Sequence, residues 1–328
     1  MICVIGGSGF IGTRLCSRLQ SSDVPFLILD VADSAEFRDV VKRIDVRDAA
    51  ALTEALPGGA TIVNLAAEHR DDVRPKRLYD EVNVQGARNV CDAARARGIS
   101  KIIFTSSVAV YGFADPGTDE SGSINYFNDY GRTKWLAEQV YRDWHAEDPE
   151  SRTLVIIRPT VVFGEGNRGN VYNLLRHVAS KRFVMVGSGQ NRKSMAYVEN
   201  VAAFLEYALE LKSGLHVFNY IDKPDYSMNE LVREVRSILG EEQATNLRIP
   251  YWIGMTVGGV CDVVSAVTRK SLTVSSVRIK KFCSDTVFDT RAFDGGFVPP
   301  VTMTEALRRT VAFEFGRPGG VGSQEPES

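Results

Sequence analysis

The chain opens ICVIGGSGFIGTRL: four apolar residues, Ile2 to Ile5, run into Gly6, Gly9 and Gly12 and then into an amphipathic helical pattern. A strand, a glycine turn and a helix in that order constrain the fold more than any other feature here. Gly6 permits a tight turn, Gly9 lets backbone approach a pyrophosphate, and Gly12 lets helix pack close to strand. The helix N-terminus, with Phe10 and Ile11 in its first turn, then aims unsatisfied N–H groups at phosphate. The next apolar run, LILD, ends on Asp30. An acid at that distance accepts hydrogen bonds from the adenine ribose hydroxyls. Its carboxylate would repel a 2′-phosphate, so the pattern points to NAD.

Apolar runs at 2–5, 26–30, 61–66, 101–107 and 154–158 alternate with helical patterns near 11–20, 48–56, 78–97 and 131–147. That rhythm predicts an α/β fold, a doubly wound parallel sheet. The rhythm loosens after Phe163, where helical stretches near 170–180, 198–211, 227–239 and 303–313 mix with short strands. The expected organisation is a Rossmann domain over 1–163, with later segments returning to it, a smaller substrate lobe over 164–315, and a disordered Gly/Pro/Glu tail over 316–328. With 328 residues and a net charge of −2, the chain has room for both and no electrostatic case for nucleic acid. The five cysteines form no CxxC pair, and His145, His177 and His216 have no ligand spacing, so neither disulfides nor a metal are expected. The first strand begins at residue 2 and no stretch reaches 18 uncharged apolar residues, so the expectation is a cytoplasmic protein without a spanning helix.

FTSSVAVYG (104–112) follows what reads as the fourth parallel strand, and YGRTK follows at 130–134. On a helix Tyr130 and Lys134 share one face. A tyrosine with a pKa near 10 is a poor base at neutral pH. A lysine ammonium and a positive nicotinamide ring nearby favour the phenolate and lower that pKa. Ser107, at the carboxyl end of a parallel strand where ligands bind, is placed to hydrogen-bond the reacting oxygen.

GGSGFIG, NLAA (64–67), NVQGARNV (83–90), SSVAVYG, YGRTK and IRPTVVFG (157–164) resemble the extended short-chain dehydrogenase/reductase family, also called the NAD-dependent epimerase/dehydratase family. The resemblance implies a catalytic Ser107–Tyr130–Lys134 group and a bound NAD. It implies cofactor contacts from Gly6, Gly9, Phe10, Ile11, Gly12, Asp30, Asp45 and Val46 beside adenine, Ala66 on the pyrophosphate path, Asn83 in support, Tyr130, Lys134 and Pro159. Dehydratases of the family carry Thr-Asp-Glu where this chain has Ser106-Ser107-Val108, which leaves 4-epimerisation or 4-keto reduction. The chain departs from UDP-galactose 4-epimerases at Val161, Lys193 and Asn200, where those have Asn, Arg and Asp.

AAEHRDDVRPKRLY (66–79), GEGNRGNVYNLL (164–175), KSMAYVEN (193–200) and SSVRIKKF (275–282) resemble the branch of the family that epimerises N-acetylglucosamine linked through diphosphate to undecaprenol, in O-antigen assembly. The resemblance implies a carrier-linked substrate and a homodimer; a UDP-sugar 4-epimerase, an NAD(P)H-dependent 4-keto-sugar reductase and a non-catalytic nucleotide-binding scaffold remain as alternatives. Asn167, Arg168, Asn173, Arg192 and Lys193 are the expected substrate contacts, since Arg offers planar bidentate donors to diphosphate. PYWIGMTVGGVCDVVSAV puts Trp252, Ile253, Val257, Val260, Val264 and Val267 near one helical face, and Arg269, Lys270, Arg278, Lys280 and Lys281 follow. This 250–281 region reads either as a core helix with a solvated basic stretch or as a peripheral inner-membrane contact.

Overall fold

The strand Ile2–Ile5 (β1) is buried at all four residues, and Thr153–Pro159 (β6) at all seven. Strands buried on both faces belong to a parallel sheet covered by helices. The computed structural model, which describes residues 1–70, 73–180, 183–241, 247–268 and 275–316, contains that sheet. Its remaining strands are Phe26–Asp30 (β2), Val41–Arg43 (β3), Thr61–Asn64 (β4), Lys101–Thr105 (β5) and Gly214–Tyr220. The order is β3-β2-β1-β4-β5-β6 and then Gly214–Tyr220, all parallel. The order reverses between β1 and β4, which is where doubly wound sheets bind ligands at their carboxyl ends.

Two of these seven strands were not expected. β3 (Val-Lys-Arg) is too short and too charged to show a pattern, yet Ile28↔Val41 and Asp30↔Arg43 pair in register. The serine motif therefore follows the fifth parallel strand and not the fourth. Phe10–Ser21 (α1) packs on one face of the sheet with the helix Val198–Ala208, tied by Arg14–Glu199 and Arg18–Glu206 ion pairs. Ala49–Ala55 (α2), Gly86–Ala96 (α3) and Asp129–Ala146 (α4) include residues of the buried apolar cluster on the other. The expected helix over 78–97 is present from Arg77 to Ala96, but Asp80–Gln85 within it is wound as a π-helix, a form that often marks functional sites.

The chain divides into two compact units: Met1–Val162 with Met195–Asp222 and Phe288–Val301, and Phe163–Ser194 with Lys223–Val287 and Thr302–Ser328. The first holds the parallel sheet. The second contains the helices Asn170–Ala179, Met228–Ile238, Tyr251–Thr268, Ser276–Cys283 and Met303–Phe315, and a parallel pair of short strands, Val184–Val186 with Leu247–Ile249. The tail from residue 317 onward lies outside the described residues.

Candidate active site

The glycine turn is built by close packing. Gly6 has φ +79, and a Cβ there would stand 2.7 Å from the Ala66 nitrogen. A Cβ on Gly12 would stand 2.5 Å from the Gly7 Cα, whereas the only neighbour of a Cβ on Gly9 would be the Gly6 oxygen at 3.3 Å. Gly6 and Gly12 are thus required by the protein's own backbone, and Gly9 keeps an open side. Gly7, which sequence reasoning passed over, lies against Ile28, 2.9 Å from its nearest methyl if given a Cβ.

No side chain caps the N-terminus of α1, so Phe10, Ile11 and Gly12 present backbone N–H groups there. Asp30 accepts from the Ser8 N–H at 2.9 Å and the Ala32 N–H at 3.0 Å. A carboxylate has about four acceptor positions, so two remain for a ligand. A glycine cradle, an uncapped helix end and an acid beside them fit a dinucleotide.

The other expected cofactor residues are placed as follows. Asp45 is gripped by Arg47, with Nε at 3.0 Å and Nη2 at 2.6 Å, and that guanidinium holds its carboxyl below the usual range. Val46 is buried against Gly86. The Ala66 N–H donates to Asn64 at 3.0 Å. Pro159 ends β6. Asn83 sits on the π-helical turn and forms a latch: its Oδ1 accepts from the Glu68 N–H at 2.8 Å, and its Nδ2 donates to the Glu68 carbonyl at 3.0 Å and to Thr133 Oγ1 at 2.9 Å. It joins the loop after β4 to α4, the helix that carries Tyr130.

Asn128 caps α4 by accepting from the Gly131 N–H at 2.9 Å. A Cβ on Gly131 would stand 2.4 Å from the Ala109 carbonyl oxygen, so this glycine lets the first turn of α4 touch the turn after Ser107. In consequence Ser107 lies beside the Tyr130 phenol, close enough to favour its charged form. Lys134 is buried; its Nζ donates to the Thr105 carbonyl at 2.8 Å and lies 4.8 Å from the Phe104 ring centre and 6.0 Å from that of Tyr130.

In the protein without NAD, burial dominates the electrostatics of the pair. Burial pushes the Tyr130 phenol up to about 12, with the neighbouring Ser107 only partly offsetting it. Burial likewise pulls Lys134 down to about 7, against the opposing charge of Glu138. Desolvation disfavours both charged forms, and it is the largest influence on each.

Sequence reasoning also missed the support behind this site. Glu138 lies one further turn along the face that carries Tyr130 and Lys134. It accepts from Ser106 Oγ at 2.5 Å and from Arg158 Nε and Nη2 at 2.9 and 2.6 Å. Arg158 Nη1 donates to the Tyr111 hydroxyl at 2.6 Å, and Tyr111 donates to Asn219 Oδ1 at 2.9 Å. The repeated four-residue spacing 130–134–138 was a legible hint.

Ser107 apart, the expected substrate contacts fall in the second unit. Asn167 Oδ1 accepts from the Gly169 N–H at 2.7 Å, and Asn173 lies in the first turn of the helix Asn170–Ala179. Arg168 pairs with Glu314 at 2.5 Å and lies over the Tyr172 ring. Arg192 donates to the Asp225 carbonyl at 2.7 Å. Lys193 Nζ donates to the carbonyls of Lys281 and Ser284 at 2.7 and 2.6 Å, tying down the end of the helix Ser276–Cys283, and burial lowers it to about 8. Asn200, one of the departures noted above, is a buried strut: it donates to Asp222 and to the Val301 carbonyl and accepts from the Val301 N–H.

The chain is 50% identical over 319 residues to an N-acetyl-alpha-D-glucosaminyl-diphospho-ditrans,octacis-undecaprenol 4-epimerase of Escherichia coli O157:H7, covering 96% of this chain and 95% of that protein. It is 30% identical to a UDP-glucose 4-epimerase of Vibrio cholerae, over 94% of each chain. The crystal structure of a UDP-glucuronic acid 4-epimerase from Bacillus cereus in complex with NAD superposes with a TM-score of 0.72 at 18% identity, over 95% of this chain and 98% of that one, a likeness of fold. Residues 2–220 match the model of the NAD dependent epimerase/dehydratase family. With that match, the glycine cradle and the Ser107–Tyr130–Lys134 group, the chain is a member of the NAD dependent epimerase/dehydratase family, and its cofactor is NAD.

Proposed function

We propose that this enzyme is a sugar 4-epimerase acting on an N-acetylhexosamine carried by diphospho-undecaprenol, interconverting the GlcNAc and GalNAc forms, as the name of the Escherichia coli relative describes for that protein. The observation that carries the reading is identity of 50% spread over 96% of the chain, joined to Ser107 beside the Tyr130 phenol and a buried Lys134. The residue after Ser107 is Val108, and the nearby Glu138 is bound up with Ser106 and Arg158, so neither position supplies a carboxylate to expel water from the sugar.

In this reading Tyr130 takes the proton of the sugar 4-hydroxyl and returns it after the ring has turned over. Ser107 hydrogen-bonds the same oxygen and keeps it at Tyr130. Lys134 holds the strand end through Thr105 and sets the charge around the phenol. Gly6, Gly9, Gly12, the first turn of α1 and Asp30 would hold NAD, with Asp45, Val46, Ala66, Asn83 and Pro159 around its path. When bound, NAD supplies the site with a reversible hydride acceptor. Asn167, Arg168, Asn173 and Arg192 are the proposed diphosphate and sugar contacts. Because the polyprenyl tail stays in lipid, the enzyme works peripherally at a bilayer surface, in O-antigen assembly, as a homodimer.

The test uses the purified protein with no added cofactor, supplied either with GlcNAc-diphospho-undecaprenol in micelles or with UDP-GlcNAc. Conversion of the lipid-linked sugar to its GalNAc form, released by mild acid and identified by chromatography, supports the proposal. Fast conversion of UDP-GlcNAc with the lipid-linked sugar untouched establishes the second reading, a UDP-sugar epimerase, which the Vibrio cholerae relative favours.

A further inference from the structure

The helix Tyr251–Thr268 is turned the wrong way round for a protein surface. Trp252, Val260 and Val263 are 69%, 59% and 64% exposed, and Val257 and Val264 are exposed beside them. At 100° per residue these five side chains, with Thr256 and Thr268, occupy one arc of roughly 160°, and the arc carries no charged residue. Gly254, Gly258 and Asp262 face inward. A Cβ on Gly254 would stand 2.6 Å from Val186, and one on Gly258 would stand 2.8 Å from the Ser276 backbone. Asp262, the helix's single acid, accepts from the Ser276 N–H at 3.1 Å and from its hydroxyl at 2.5 Å, which locks the helix against Ser276–Cys283. The core-helix reading of the sequence is therefore corrected: the glycine seam is the packed side and the valine stripe faces outward. The side chain of Val267, and Arg269 and Lys270 entirely, lie outside the described residues.

The adjoining helix Ser276–Cys283 exposes Arg278 and Lys280 together with Val277, which is 55% exposed. No described helix is long and apolar enough to cross a membrane. A contiguous apolar arc of this extent on a protein surface marks a docking face. We propose that this arc lies in the plane of an anionic bilayer leaflet, with Trp252 at the headgroup level and Arg278 and Lys280 against acidic lipid headgroups. The cations supply the charge complementarity that selects a bilayer as the occupant. The proposal rests on the reading that the substrate is polyprenol-linked, and it names the surface that brings the enzyme to it.

The test is co-sedimentation of the full chain with substrate-free vesicles of phosphatidylcholine alone or mixed with phosphatidylglycerol. The wild type should sediment with the mixed vesicles and be released by high salt. Val260→Glu with Val264→Glu should weaken binding at least about tenfold. Arg278→Gln with Lys280→Gln should weaken it on anionic vesicles by roughly five-fold per cation. Both sites are exposed, and retained NAD and an unchanged melting temperature establish that the variants fold. Wild-type protein that ignores anionic vesicles, or glutamate variants that bind as the wild type does, overturns the proposal. So does a glutamate variant that turns a dimer into a monomer while still binding vesicles, which gives the arc to a second copy. Turnover of lipid-linked GlcNAc in micelles without vesicle binding removes the docking face and leaves the function standing. Vesicle binding without such turnover removes the function and leaves the face standing.

Discussion

Glu138 and Arg158 form an ion pair at 2.6 Å whose side chains are 0% and 2% exposed, one on the helix that carries Tyr130 and the other on β6. Every carboxylate bond it makes is to Arg158 or to Ser106, the residue before Ser107. The pair therefore fixes the distance between the serine turn and the catalytic helix. Removing one partner leaves an uncompensated charge in a dry interior. Arg158→Met should cost about 3–5 kcal/mol of stability, read by denaturant unfolding. Glu138→Leu with Arg158→Met should recover most of that loss, and a double variant as unstable as the single one would contradict this account.

Tyr130→Phe removes the proposed proton carrier. Turnover should fall by at least ~10²-fold, while NAD stays bound because the glycine turn is untouched. Steady-state kinetics with a measurement of bound cofactor checks both halves.

Lys134 titrates near 7 in the fold against 10.5 when free. Between those values the unfolded chain holds a proton that the folded chain has released. Stability should therefore rise with pH across that window, and the buried lysine costs most below it. Lys134→Met should lose activity, melt at a higher temperature than the wild type near neutral pH, and flatten the rise in melting temperature from neutral to alkaline pH. An unchanged slope would mean that Lys134 stays charged in the folded protein.

Gly12→Ala puts a methyl 2.5 Å from the Gly7 Cα, a backbone atom that cannot swing away. The start of α1 must shift, so NAD binding should weaken by at least about tenfold, by the loss of one good phosphate contact worth roughly 1.5 kcal/mol. Gly9→Ala, whose Cβ would meet only the Gly6 oxygen, should leave the melting temperature close to the wild type while still hindering NAD. Isothermal titration with NAD and thermal melts distinguish the two.

Legibility from sequence followed the range of the interaction. The glycine turn and the Tyr130/Lys134 spacing are local, so periodicity and turn chemistry were enough to place them. β3 and the strand Gly214–Tyr220 were missed because their place depends on partners distant in sequence, not on their own composition. Glu138 showed only as a third residue on a stripe, since Arg158 lies 20 residues away on another element. The upward shift of Tyr130 and the downward shift of Lys134 in the protein alone come from burial, which spacing does not carry. The apolar face of 251–268 was visible, but whether it faced core or solvent depended on the glycine seam packing against the next helix.

The central claim is that C4 is inverted with no net redox change. The direct measurement uses GlcNAc-diphospho-undecaprenol deuterated at C4, incubated with the purified enzyme and no added NAD or NADH, with the released sugars analysed by NMR and mass spectrometry. The account predicts GalNAc that keeps deuterium at C4, formed to equilibrium over many turnovers. GalNAc carrying hydrogen at C4, or product that forms only when NADPH is supplied and consumed, would contradict it.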